Sequence, residues 1–250
     1  MIVLNVRITP LNYVEYYTKC LLRDPKLDIT QFTYKKLDFK FDVSELASVI
    51  GADLDNGKLE DNKWAILQNN PIKYKSLLMP ILEPIVSYLE EEIYSSYIFI
   101  DKVHIYRSIP LQKRVASSLY HYDNFPPTVL KTMVYLTDTL TDDFGPIEFC
   151  KGFLAKPTRS GADCWYPPVN NSRIDDSVAN TYEREKVYGS AGEAVLFYPN
   201  NVHRASLPTG SNYRDVINIS TRPTHDKNER YKYIRGFEAY GSPLINPEDR

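Results

Sequence analysis

Four histidines occur among the 250 residues of the chain. His121 stands two positions before Asp123 in SLYHYDNFPP, residues 118–127. On a β-strand, residues i and i+2 project to one face. An imidazole nitrogen and a carboxylate oxygen would then meet in one small volume, with Tyr122 turned the other way. A second histidine from elsewhere would complete a two-histidine, one-carboxylate facial triad. That is the donor set of non-haem iron(II) oxygenases, and it leaves coordination positions open. Alone the pair is weak, because about 0.3 His-x-Asp pairs arise by chance at such a composition. A hydrogen-bonded pair on a surface strand fits it at least as well.

The chain offers that second histidine. In AGEAVLFYPNNVHRAS, residues 191–206, a turn at Gly192 leads into the apolar run AVLFY. The polar turn PNN then delivers His203 at the start of the next segment, within reach of His121 in a closed barrel. Arg214 follows in NYRDVINIS and opens a strand whose face it shares with Val216, Asn218 and Ser220. An inward-pointing arginine is costly unless an anion meets it. Its planar fork suits a carboxylate, supplied either by a co-substrate or by the protein itself.

The elements that must position these residues fall into two regimes. Residues 43–96 read as helical. DVSELASVIG opens with Asp42 or Ser44 as a cap and closes at Gly51. Leu77, Leu78, Ile81, Leu82, Ile85 and Leu89 recur at helical spacing, with Pro80 and Pro84 expected to split or kink the helix. From about residue 97, YIFIDKVHIYRSI, VLKTMVYLTD, PIEFC, EAVLFY and DVINIST read as strands separated by turn residues. The expectation is a single α+β, mainly β domain over 1–250. A mostly helical supporting region at 1–96 precedes a barrel or sandwich at 97–222, and a tail covers 223–250. Residues 155–190 are polar and rich in turn formers, the composition of a long loop acting as a lid.

Composition narrows the function classes. Charged residues make up 25% and the formal net charge is −2, so no global electrostatic footprint for nucleic acid or an anionic membrane is present. Three cysteines, Cys20, Cys150 and Cys164, form no CxxC pair, and their odd number fits a reducing, cytoplasmic setting. The N-terminal MIVLNVRITPLNY reads as neither a signal peptide nor a membrane span. There is no nucleophile elbow, P-loop or GxGxxG.

In order along the chain, HYD, LKTMVYLTDTLTDDFGPIEFCKG, AGEAVLFYPNNVHRAS and NYRDVINIS resemble the phytanoyl-CoA dioxygenase-like branch of the Fe(II)/2-oxoglutarate oxygenases. The match covers roughly residues 100–222. Asp143-Phe144-Gly145-Pro146 corresponds to the family's acidic turn, and Gly192 to Phe197 to its Gly-Asp-hydrophobic-Phe strand, with Glu193 in place of Asp. The Ser-His step usual after the Gly-Pro strand is absent.

The resemblance implies a double-stranded β-helix (a jelly-roll, cupin-like barrel) with the N-terminal helices packed on one sheet. It implies that His121, Asp123 and His203 bind Fe(II), and that Arg214 binds the distal carboxylate of 2-oxoglutarate. Reaction with O2 would release succinate and CO2 and leave a ferryl species that abstracts hydrogen from a small or medium organic substrate. Asp123 stands where halogenases of the superfamily carry a small residue, which argues for hydroxylation.

Lys131 and Tyr135 share a strand face and are candidates to touch 2-oxoglutarate, with cross-strand packing as the alternative. Arg107, Asn124, Trp165 and Tyr166 are candidate substrate contacts, with Arg159 and Arg173 as basic companions in the lid. His104 reads as a structural or surface residue. Two other functions remain open at this point: a non-catalytic jelly-roll protein that binds a small molecule, and a cupin-type metal enzyme needing no 2-oxoglutarate.

Overall fold

The structure, a computed structural model, describes residues 26–28, 32–60, 63–68, 71–123, 125, 128–155 and 173–224. Asn124, Arg159, Trp165 and Tyr166 lie outside the described residues, as do Cys20, Cys164 and the tail beyond Thr224.

Nine described strands form two antiparallel sheets. They are β1 (Tyr34–Lys40), β2 (Ala65–Gln68), β3 (Tyr97–Ser108), β4 (Leu130–Tyr135), β5 (Ile147–Leu154), β6 (Arg184–Val187), β7 (Glu193–Phe197), β8 (Asn201–Ala205) and β9 (Arg214–Thr224). The major sheet has the order β1-β7-β4-β9-β3-β2 and the minor sheet β6-β5-β8. Helices α1 (Ser44–Asp55) and α2 (Lys75–Tyr88) stand before β3, and the short α3 (Asp176–Ala179) before β6. The chain is mainly antiparallel β with few helices. No helix among the described residues is long and apolar enough to cross a membrane.

Alternation along the central strands explains the layering. On β7, Ala194 and Leu196 face the helices, packing with Leu46, Leu78 and Ile85. Val195 and Phe197 face the minor sheet and meet Ile147 and Phe149. On β9, Ile217 and Ile219 join the helix side, while Val216 joins the other. Both faces of the major sheet are therefore covered, which is why AVLFY reads as a continuous apolar run. A buried leucine or isoleucine here contributes about 1.5–3 kcal/mol by leaving water.

Several expectations need correction. The region before residue 97 is not only helical, because β1 and β2 are the two edges of the major sheet. YKKLDFK hid its strand because its outer positions are charged and exposed, as an edge permits. Helix α1 runs past Gly51 to Asp55. Helix α2 is not split, since Pro80 and Pro84 both lie inside it. Both prolines sit on the exposed side, so the carbonyls they leave unpaired face water, while the opposite side packs. The later part of 155–190 is not loop either. Arg173 bridges to His121, and β6 pairs with β5. REKV is another charged edge strand.

Two glycines are required where they stand. Gly192 has φ +86°, donates its N–H to the Tyr135 carbonyl at 2.8 Å, and accepts from Phe41 N–H at 2.9 Å. Gly145 has φ +68°, and a Cβ there would lie 2.5 Å from the Ser206 carbonyl oxygen.

Candidate metal centre

His121 and His203 are brought together by backbone pairing. His121 N–H donates to the His203 carbonyl, and His203 N–H to the His121 carbonyl, each at 2.9 Å. Residues exchanging both bonds across an antiparallel pair project side by side on one face. Their ring centroids are 4.4 Å apart. The His-x-Asp segment is not a regular strand as expected, because it pairs at His121 only as an isolated bridge. Asp123 is instead held by its N–H, which donates to the Pro199 carbonyl at 2.9 Å. Tyr122 packs with Tyr120, Cys150 and Val202, yet it also lines the cavity beside the triangle, so it is not wholly turned away as expected.

One donor atom from each of His121, Asp123 and His203 lies within 4.8 Å of the others. Nε2 of His121 is 3.8 Å from Asp123 Oδ1, and Nε2 of His203 is 3.6 Å from Oδ2. Ligands about 2.1 Å from a metal, at right angles to one another, stand about 3 Å apart. A small closure of this triangle suffices. Nδ1 of His121 lies 2.9 Å from the Leu119 carbonyl oxygen and Nδ1 of His203 2.7 Å from that of Asn201. A carbonyl only accepts, so each Nδ1 carries the hydrogen and each Nε2 presents a lone pair to the triangle. Such second contacts commonly orient metal-binding histidines.

The electrostatics suit the same use. Burial, followed by the neighbouring His203, lowers the pKa of His121 to about 3, and burial also lowers that of His203. Both imidazoles are neutral at ordinary pH. Burial pushes the Asp123 carboxyl up, but Lys131 and the two histidines outweigh it and hold it below the usual carboxylate range. Two neutral imidazoles and a carboxylate are the deprotonated donors a divalent ion requires.

The triangle opens into a cavity of about 360 Å³. Arg214 lines it and is buried at 1% exposure. Its Nη1 donates to the Gly145 carbonyl, and its Nη2 lies 3.3 Å from Ser108 Oγ. Its buried Nε has no partner, and no carboxylate pairs with it among the described residues. An enclosed guanidinium facing a cavity without an anion is the clearest sign of an anionic ligand here.

The other candidates separate. Lys131 lines the cavity, with Nζ 2.8 Å from Asp123 Oδ2. Tyr135 lies two pleats further along β4, outside the cavity lining, and its hydroxyl donates to the Val187 carbonyl at 2.7 Å. Arg107 does not face the cavity as expected. The even positions of β3, Lys102, His104 and Tyr106, do so. Arg107 instead donates from Nε and Nη2 to Asp215, each at 2.8 Å, and also pairs with Asp55. His104, expected as a structural or surface residue, lines the cavity opposite Asn218. Trp64 was missed altogether. It lines the cavity edge-on to Tyr106 with centroids 4.7 Å apart. The only available signal for it was its place at the start of a strand too short to read.

No family model matches the sequence, and no curated protein matches it. Solved structures do resemble it. The non-heme alpha ketoglutarate dependent epimerase SnoN from nogalamycin biosynthesis aligns with TM-score 0.55 and 17% identity over 94% of each chain. The carbocyclase SnoK from the same biosynthesis, likewise alpha ketoglutarate dependent, gives 0.55 and 16%, over 93% of this chain and 91% of its own. HygX from Streptomyces hygroscopicus, crystallised with nickel, 2-oxoglutarate and hygromycin B, gives 0.53 and 9%, over 77% of this chain and 83% of its own. At these identities the likeness is one of fold.

Proposed function

We propose that the chain is an Fe(II)- and 2-oxoglutarate-dependent dioxygenase of the phytanoyl-CoA dioxygenase-like kind, built on a jelly-roll barrel and acting in the cytoplasm on a small or medium organic substrate. One observation carries this: a His-Asp-His donor triangle with both histidines buried shares a cavity with a buried arginine that has no carboxylate partner among the described residues. The folds of SnoN, SnoK and HygX support it.

In this reading His121, Asp123 and His203 hold iron(II), and Arg214 binds the distal carboxylate of 2-oxoglutarate. An iron(II) ion held by these three residues would supply the chemistry that links O2 and the decarboxylation of 2-oxoglutarate (to succinate and CO2) to oxidation of a substrate C–H bond. The protein's residues do the rest. The Leu119 and Asn201 carbonyls fix the two imidazole tautomers. Lys131 orients the Asp123 carboxylate, which has lone pairs to spare for both lysine and metal. Phe149 and Phe197, with ring centroids 5.7 and 5.4 Å from that of His203, keep water from that side of the centre. Because Asp123 occupies the third ligand position, hydroxylation is the proposed outcome rather than halogenation.

The test is anaerobic titration of the purified protein with Fe(II) and 2-oxoglutarate. A metal-to-ligand charge-transfer band should appear, and succinate should form once O2 is admitted. Asp123→Ala should abolish both. A normal band in Asp123→Ala, or none in the wild type, would sink the proposal. Full activity without 2-oxoglutarate would favour a cupin-type enzyme, and small-molecule binding without O2 consumption a binding protein.

A further inference from the structure

We infer that the primary substrate is an organic anion and that Arg173 holds its charge beside the metal centre. This deepens the oxygenase proposal and rests on it. Arg173 forms an isolated antiparallel bridge to His121, which bridges in turn to His203. Three adjacent chain segments thus present His203, His121 and Arg173 in a row, and cross-strand partners share a face. The Arg173 side chain lines the same cavity as the two histidines.

The cations of that cavity differ in what answers them. Among the described lining residues, Lys63, Lys102, Lys131, Arg173 and Arg214 are basic, and Asp123 is the one carboxylate. Lys131 meets Asp123 at 2.8 Å, and Lys63 reaches Glu60 at 3.9 Å. Arg214 faces the co-substrate in the proposal above. The Arg173 Nε is buried with no hydrogen-bond partner among the described residues. Burial works against its charge, and Asp123 is the one group whose field favours it. Once a metal neutralises Asp123, that support weakens. With a 2-oxoglutarate dianion in place at the metal and Arg214, the Arg173 guanidinium still meets no anion of its own among the described residues. A carboxylate or phosphate on the substrate restores the balance and gives the guanidinium its two-pronged partner. Trp64, Leu67 and Phe125 line the same cavity, so the anion carries an apolar body.

The experiment uses the anaerobic complex of the protein with Fe(II) and 2-oxoglutarate. The probes are a panel of carboxylates and phosphate monoesters, each matched with its methyl ester or parent alcohol. Binding next to iron perturbs the charge-transfer band, and the band also reports the affinity for 2-oxoglutarate. At least one anion should perturb it at concentrations well below those needed for its neutral match. Arg173→Gln should weaken that anion by about 10- to 100-fold, the scale of one lost charge-assisted anchor. The affinity for 2-oxoglutarate should change much less, and Arg173→Lys should restore part of the loss. Equal response to neutral partners, or no response to any anion, would overturn the inference. So would a loss in Arg173→Gln that falls on 2-oxoglutarate itself, because the anion at Arg173 would then be the co-substrate's own carboxylate. Absence of the band from the wild-type protein is a different result, and it removes the oxygenase proposal.

Discussion

Two arginines lie on neighbouring strands of the major sheet, and both are buried, Arg107 at 6% and Arg214 at 1% exposure. Arg107 donates two parallel hydrogen bonds to Asp215, its register partner on β9, pairs with Asp55, and lies 4.0 Å from the centroid of the Tyr213 ring. Arg214, one position before Asp215, faces the cavity and finds a carbonyl and a hydroxyl but, among the described residues, no carboxylate. Burial alone does not separate a structural arginine from one that binds a ligand. The distinction lies in whether the protein supplies the counter-charge.

The largest effect should come from the paired arginine. Arg107→Met leaves the Asp215 carboxylate buried without its partner and should cost about 3–5 kcal/mol in urea unfolding. Arg214→Met should do the reverse. Its ligand-free stability should stay within about 1 kcal/mol of wild type. Its 2-oxoglutarate affinity, read from the charge-transfer band, should fall by about 100-fold. If Arg214→Met unfolds the protein as severely as Arg107→Met, the two arginines are not different in kind. Replacing both members of the structural pair, Arg107→Met with Asp215→Leu, should recover most of the single-variant loss, to within about 1–2 kcal/mol of wild type. A double variant no better than the single would mean that Arg107 acts through packing on Tyr213 rather than through its charge.

A third buried arginine, Arg204, forms an ion pair with Glu148 and gives the smallest effect. Burial pushes the Glu148 carboxyl up, but the Arg204 hydrogen bonds and charge, with Tyr120, hold it below its ordinary value. Arg204 reaches it at 2.7 Å and 2.8 Å. A carboxyl depressed in the folded state stabilises the protein above its unfolded pKa, about 4.3. That contribution is lost as pH falls through the lower folded value. Thermal melting between pH 6 and pH 3, of the order spanned by ordinary carboxylates, should therefore fall less steeply in Glu148→Gln than in wild type.

Much of the site was legible in the chain because it depends on residue type and order. His121, Asp123, His203 and Arg214 were found as a set, and the structure places all four around one cavity. Strands β3, β4, β5, β7 and β9 announced themselves through β-branched and aromatic runs. The edge strands β1, β2 and β6 did not, since an edge with one exposed face looks like loop. Arg107 was expected on the cavity face of β3, and it lies on the other, where Asp215 meets it. Alternation gives the two faces of a strand, and the register of β3 is unbroken from Lys102 to Ser108. Nothing local to the sequence says which face meets the cavity.

By itself the sequence determined the donor types, their order, and the apolar alternation that buries the major sheet on both sides. These follow from side-chain chemistry and from the periodicity of single elements. Only the tertiary structure decided that His121 and His203 sit in mutual backbone register, that Arg173 joins their row, and that Arg107 rather than Arg214 owns a protein carboxylate. Each of those facts is a pairing between distant segments. Pairing is set by how whole sheets pack, and no periodicity within one segment encodes it.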